Sequence, residues 1–481
     1  MADPDIVLVN SNRMRPPVAP IALDYIASAL QQGGRSAGLL DLAFADDIEE
    51  AVLEYFDENE PRFVGVTFRN SDDCYLHSRA TFVSALTEII DCIRTATDAP
   101  IILGGSAYAL FPVELLKRTG ADYGVTGDAE EVLPTLLGRL LGGKSVGDVP
   151  GVVIRRGDEV TATPPQFGTE LAFPSDRSFI DNVRYFEEGG QGGFETRRGC
   201  THHCIYCADP VLAGARVREK PPDQVAKEVR SLVQRGVTVL HTCDPEFNVP
   251  PSHGAGVCAR MVSRGLGERV QWFAYCTPAP FPAELAAAMR RAGCVGVNIG
   301  ADSGSDEQLH RLGRGYTAKQ VADTVKACKK AGLEVMIDLL LGGPGETPDT
   351  CRETIAFYKS LPVDCVGAPV GVRLYPGTPL TKAVLAEGPM AENPNLRGAV
   401  EGNASLLEPA FYVAEALGED PGALVIDLID GDERFFPPAS TRDARDYNYN
   451  DNTVLTSAIA AGARGAYWHI LNALRKGSSR I

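Results

Sequence analysis

The sequence predicts an α/β protein in two unlike parts: an N-terminal doubly wound, Rossmann-like parallel sheet, then a second run of strand–helix units that ends in a small mixed C-terminal domain. Three observations carry this. At 481 residues the chain is too long for one ordinary domain. Short apolar runs alternate with amphipathic stretches over residues 5–150, and again over 191–380. After about residue 381 the alternation stops, and Pro, Gly and Asn become frequent in AEGPMAENPNLRG. The expected divisions are therefore 1–150, a linker over 151–190, 191–380, and 381–481.

In the first part, DIVLVN, AGLLDLA, RFVGVTF, PIILGG and ADYGVTG have the length and composition of buried parallel strands. Leu23, Ile26, Ala27 and Leu30 fall on one face of the first intervening helix, which Gly33 and Gly34 end. EEVLPTLLGRLLGG closes the last unit. Ligands of such sheets bind beyond the carboxyl ends of the strands. The loops there are NSNRMRPP, RNSDD, GGSAY and TGDAEE, and Gly104, Gly105 and Gly127 allow a bulky ligand to approach the backbone.

The second part opens on RRGCTHHCIYCADP, in which Cys200, Cys204 and Cys207 form a C-x3-C-x2-C triplet. Three thiolates so spaced can hold three irons of a [4Fe–4S] cluster and leave the fourth iron open for reaction, whereas an electron-carrying cluster normally has four. A zinc loop would pair C-x2-C with a second such pair or with histidines, and no second pair occurs. Six strand candidates follow: GFETRRG, TVLHTCDP, VQWFAYC, CVGVNIGADSG, EVMIDLLLGG and CVGAPVGVRLYPG. Asp244 and Glu246 alternate in DPEFN, so both are expected to face inward. Cys243 and Cys276 read as small core residues. Tyr447, Tyr449, Tyr467 and Trp468 are candidate pocket aromatics of the tail.

The cysteine spacing and its setting resemble the radical S-adenosylmethionine (SAM) superfamily, which implies a partial (β/α)6 barrel and SAM at the open iron. The N-terminal layout resembles the cobalamin-binding domain that precedes the barrel in one subgroup of that superfamily, and most of all the tryptophan 2-C-methyltransferases. No D-x-H-x-x-G motif is present, so cobalamin is expected without a histidine ligand. The resemblance places Arg69 beneath cobalt, and surrounds the corrin and its tail with Asn70, Gly104, Gly105, Ser106, Thr126, Gly127 and Glu130. In the barrel it implies cofactor contacts from Tyr206, Asp244, Glu246, Asp302, Ser303, Arg314 and Gly343. Glu246 is the candidate to take the open iron itself, and Arg314 to pair with the SAM carboxylate. Asp302 stands where the family's I-G-x-E-S-G-S run has glutamate. Tyr375, in the closing Y-P-G-T-P-L, is a candidate for the active site, and Glu346 is expected to cap a helix.

The activity implied is methyl transfer from SAM, via methylcobalamin, to a carbon of a small molecule in natural-product biosynthesis. Tryptophan indole C2 is the candidate acceptor. The alternative is a 5′-deoxyadenosyl radical used for sp3 C-methylation, cyclisation or ring rearrangement. An external electron donor of the flavodoxin or ferredoxin kind is implied. A net charge of -17 argues against a nucleic-acid partner. MADPDIVLVN has acidic residues where a basic signal region would stand, no apolar run is long enough for a membrane, and the twelve cysteines suggest no paired framework, so a cytoplasmic location is expected.

Overall fold

The structure, a computed structural model, describes residues 3–171, 173–438, 444–446 and 448–477. The five predicted N-terminal strands form as β1 (Ile6–Asn10), β2 (Ala37–Asp41), β3 (Phe63–Thr67), β4 (Ile101–Gly104) and β5 (Tyr123–Val125). They pair in parallel in the order β2-β1-β3-β4-β5. Alternation along each strand gives the sheet two apolar faces. Val7 and Val9 join Val52, Leu86 and Ile90 on one side, while Ile6 and Leu8 join Leu23, Leu30 and Leu136 on the other.

The sheet continues where a linker was expected. β6 (Val152–Arg156) and β7 (Glu159–Ala162) form a hairpin that adds to β5 antiparallel, so the first unit runs past residue 150 to Ala162. The VVI run buries on β5, and the Arg156–Glu159 turn is too short for a crossover helix. The connection that follows is itself anchored. Arg177 is fully buried, with Nε 2.8 Å from Asp24 Oδ2 and Nη1 donating to the Gly193 carbonyl at 2.9 Å.

The second sheet begins with β8 (Gly192–Phe194). A small antiparallel pair, β9 (Arg197–Arg198) and β10 (Arg218–Glu219), flanks the cysteine loop. Then come β11 (Val239–Thr242), β12 (Gln271–Cys276), β13 (Cys294–Asp302), β14 (Glu334–Leu339) and β15 (Cys365–Gly367), parallel throughout and in chain order from β8. Helices Pro222–Gln234, Pro251–Ser263, Ala283–Arg291, Ala318–Ala331 and Pro348–Ser360 cover the outer face, as the strand–helix alternation predicts.

Two features of this sheet differ from expectation. The sixth strand is short: β15 ends at Gly367, and the chain leaves to form β16 (Val372–Arg373), which pairs with β18 (Ala410–Tyr412) beside β17 (Leu396–Gly398). A seventh strand, β19 (Phe435–Phe436), arrives from the C-terminal part and adds in parallel to β15. That part is therefore not only a cover. Helices Thr453–Ala460 and Tyr467–Arg475 fill the barrel from the end where the strands begin, packing Leu455, Ile459, Trp468 and Leu471 on Val239, Phe273, Met336 and Cys365. No helix among the described residues is long and apolar enough to cross a membrane.

Candidate functional site

The carboxyl ends of the first sheet face the barrel interior across a cavity of about 750 Å³. Its walls come from both units. The first contributes Asn12, Arg15, Arg69, Asn70, Gly105 and Ser106, and the barrel contributes His241, Cys243, Tyr275 and Asn298. Tyr449, Tyr467 and Trp468 form part of the lining from the C-terminal segment, while Tyr447 lies outside the described residues.

Arg69 follows β3 and is exposed to this cavity, its guanidinium making no hydrogen bond or ion pair among the described residues. Its charge reaches the Cys243 thiol and the Tyr275 and Tyr467 phenols, lowering each somewhat against the larger upward push of burial. Ser106 Oγ donates to the Arg69 carbonyl at 2.9 Å, which couples the GGSAY and RNSDD loops. Gly105 has φ +102°, and a side chain there would collide with the Phe68 backbone, so this close approach requires glycine. In the lining, Asn12, Asn70 and Gln191 each carry a buried polar atom without a partner. A large ligand rich in amides and carbonyls would satisfy them. The cavity thus fits cobalamin, a glycine-cradled group facing a free cation.

The TGDAEE loop is used differently from its expected role. Thr126 Oγ1 donates to Gly151 O at 3.1 Å, and Gly127 lies against Pro165 and Phe167. Glu130 accepts Arg198 Nη2 at 2.5 Å and Nη1 at 3.0 Å, and Arg218 Nη1 pairs with Asp128. These residues bind the first unit to the strand that leads into the cysteine loop, and they do not line the cavity. Gly104 ends β4 one residue short of the lining.

Cys200 and Cys204 are buried and Cys207 half-buried. The Cys207 thiol is pushed up chiefly by burial, then by Asp209, with Cys204 and Cys200 adding to it, so the three sulfurs share one site. No three His, Cys, Asp or Glu side chains among the described residues are close enough to hold a single metal ion.

Glu246 borders this loop. Burial pushes its carboxyl up to about 8, against the pull of Arg314 and Arg197. Its Oε2 is buried without a partner, and its charge is felt by Cys200 and Cys204. Asp244, two residues earlier, is fully engaged. Its Oδ1 accepts the backbone N–H of Thr196 at 2.7 Å and of Arg197 at 3.1 Å, and its Oδ2 accepts Thr196 Oγ1 at 2.6 Å. It ties β11 to the cysteine strand and has little left for a ligand. Ser303 is likewise spent on Thr354 at 2.8 Å, and Gly343 packs on Leu312 and Gln308. Glu346 caps no helix. Its Oε2 accepts the Gly342 and Gly343 N–H groups at 2.9 and 3.3 Å, closing the GGPGE loop on itself.

Tyr206, Asp302 and Arg314 form one buried group: the Tyr206 hydroxyl donates to Asp302 Oδ2 at 2.6 Å, and Arg314 Nε lies 2.8 Å from the same oxygen. Tyr375 stands apart from the cavity, its hydroxyl 2.8 Å from Cys74 Sγ and its ring against Arg373. It belongs to the contact between RNSDD and β16, where Arg373 Nη2 pairs with buried Asp72 at 3.0 Å. The tyrosine follows Arg373 by two positions and so is drawn to that interface.

His241, Tyr275, Asn298 and Cys243 were not singled out, or were read as core. All four line the cavity, and Cys243 is exposed to it, whereas Cys276 is fully buried as expected. Tyr275 is 43% exposed although it lies within a barrel strand. His241 rests against the rings of Phe273 and Tyr275, donates from Nδ1 to the Thr242 carbonyl at 2.8 Å, and is held near pKa 4 by burial. The signal was strand parity: His241 and Cys243, and Phe273 and Tyr275, sit two apart on the inward side.

Residues 194–358 match the Radical SAM superfamily model, and residues 9–137 the B12 binding domain model. The chain is 29% identical to the tryptophan 2-C-methyltransferase of Streptomyces laurentii, over 96% of this chain and 95% of that protein. Its structure matches the radical SAM methyltransferase TsrM of Kitasatospora setae, solved with tryptophan and a SAM analogue, at TM-score 0.92 and 30% identity over 98% of each chain. The cobalamin-dependent radical enzyme OxsB, at TM-score 0.70 and 17% identity, shares the fold over 86% of this chain and 64% of its own.

Proposed function

The chain belongs to the cobalamin-dependent radical SAM enzymes, and from that premise we propose that it methylates the indole C2 of tryptophan, or of a close relative, by polar transfer. The observation that carries this reading is the shared cavity, with an unpaired Arg69 side chain and aromatic walls from Tyr275, Tyr467 and Trp468; outside that lining, the Glu246 Oε2 stands unpartnered near the cysteine loop. When bound, SAM supplies the methyl group, cobalamin its carrier, and the cluster single electrons from an external ferredoxin- or flavodoxin-like donor.

The protein contributes position and charge. Cys200, Cys204 and Cys207 hold the cluster. Arg69 would present a cation to a bound corrin from the first-sheet side, which would favour electron-rich cobalt. With a cluster bound, the unpartnered Glu246 carboxylate would be the residue to take its open iron, and would then compete with SAM for it. Tyr275 and Tyr467 stack on a flat aromatic substrate and exclude water, and buried Trp468 supports them from the core.

The test is mass spectrometry of an anaerobic reaction containing reconstituted enzyme, cobalamin, methyl-deuterated SAM, a reductant and tryptophan. Labelled 2-methyltryptophan with S-adenosylhomocysteine and no 5′-deoxyadenosine is the expected result. 5′-Deoxyadenosine without methyltryptophan would overturn it and indicate radical chemistry on another substrate.

A further inference from the structure

We infer that Arg314 is a redox-tuning residue: its guanidinium donates to the Cys204 sulfur and thereby raises the reduction potential of the cluster that Cys204 helps to hold. The inference rests on the reading of the cysteine triplet as cluster ligands, and it gives Arg314 a task other than binding the SAM carboxylate.

The geometry leaves the side chain little freedom. Nη1 lies 2.8 Å from Cys204 Sγ, and Nη2 donates to the Gly300 carbonyl. Nε pairs with Asp302 Oδ2 at 2.8 Å as a charge contact, without the alignment of a hydrogen bond. Asp302 is itself held by the Tyr206 hydroxyl at 2.6 Å. The guanidinium also lies 5.1 Å from the centre of the Tyr316 ring, and that tyrosine's hydroxyl donates to the same Gly300 carbonyl at 2.8 Å. The Arg314 and Asp302 side chains are only 6% and 7% exposed. Swinging the arginine toward a ligand would strand Asp302 and two further acceptors in a buried site.

The electrostatics follow. The Arg314–Asp302 pair is a fixed dipole whose positive end touches the thiolate. When the cluster takes one electron from a ferredoxin- or flavodoxin-class donor, the site gains one negative charge. A buried cation hydrogen-bonded to a ligand sulfur stabilises that reduced state more than the oxidised one, and hydrogen bonds to sulfur are an established lever on cluster potential. The short Asp302 side chain is held back against Tyr206 and leaves Nη1 for the sulfur.

The experiment is an EPR-monitored redox titration of reconstituted holoenzyme without SAM, comparing wild type with Arg314→Gln, and with Arg311→Gln as control. Arg311 is on the preceding helix, exposed and paired with Glu307. Arg314→Gln is expected to keep its iron and sulfide and to titrate at a more negative potential, with Arg311→Gln unmoved. Equal potentials with weakened SAM binding would overturn the inference. Should Arg314→Gln fail to hold a cluster, wild type carrying guanidino-15N arginine decides: a 15N hyperfine coupling on the reduced cluster is expected, and its absence refutes the contact. A wild type that holds no cluster would refute the reading of the cysteines, a separately visible failure.

Discussion

The two sides of the cavity solve opposite problems. On the side of the first sheet, polar groups at the strand ends are left open: the Arg69 guanidinium has no partner among the described residues, and Asn12 and Asn70 each keep a buried polar atom unsatisfied. On the barrel side the polar groups are almost all paired among themselves, as Asp244 is with Thr196 and Arg197, and Asp302 with Tyr206 and Arg314. Glu246 Oε2 and Thr242 Oγ1 are exceptions. An open wall accepts a large, amide-rich group that brings its own hydrogen bonds. A self-paired wall holds a small, highly charged group in one geometry, because every anchoring side chain is fixed in advance. Unpaired polar atoms therefore indicate where a ligand contributes the pairing, and paired ones where the protein does.

This contrast can be broken from either side. The largest effect should come from a pair that joins the units. Arg373→Leu leaves Asp72 buried without its cation, which should cost about 3–5 kcal/mol in chemical denaturation. A loss within about 0.5 kcal/mol, the range of ordinary surface substitutions, would show that the interface is far looser than its burial implies. Arg69→Leu should do the reverse. Stability should stay within about 0.5 kcal/mol, while methylation should fall on the order of 10–100-fold, as for outer-shell partners of metal sites. Retained activity would remove Arg69 from the mechanism. The smallest effect is expected for Tyr375→Phe, which deletes only the hydroxyl that meets Cys74. A loss of about 0.5–1.5 kcal/mol in stability, with methylation unchanged, would place it at the interface. A selective fall in methylation would return it to the active site.

Much of this was legible before any coordinates. Parallel strands buried on both faces announce themselves as short apolar runs, so β1 to β5 and five barrel strands fell within the expected segments, and β8 began one residue before its own. The cysteine triplet needed only spacing, because a cluster constrains three nearby residues of one loop. Local chemistry also gave Gly105 and the DPEFN turn as places where something approaches.

Tertiary structure alone decided which of the polar candidates are free. Asp244 and Glu246 look equivalent in DPEFN, yet one is spent on Thr196, 48 positions away, and the other is not. Glu130 looked like a corrin contact until Arg198, 68 positions later, claimed it, and Tyr375 met Cys74 across 301 positions. The hairpin β6–β7 and the late strand β19 likewise depend on a sheet edge that exists only once the earlier strands are paired. A residue's type and its neighbours in sequence determine what it can do. What it is left to do depends on partners brought to it by the fold, and hydrogen-bonding capacity used in one contact is not available for another.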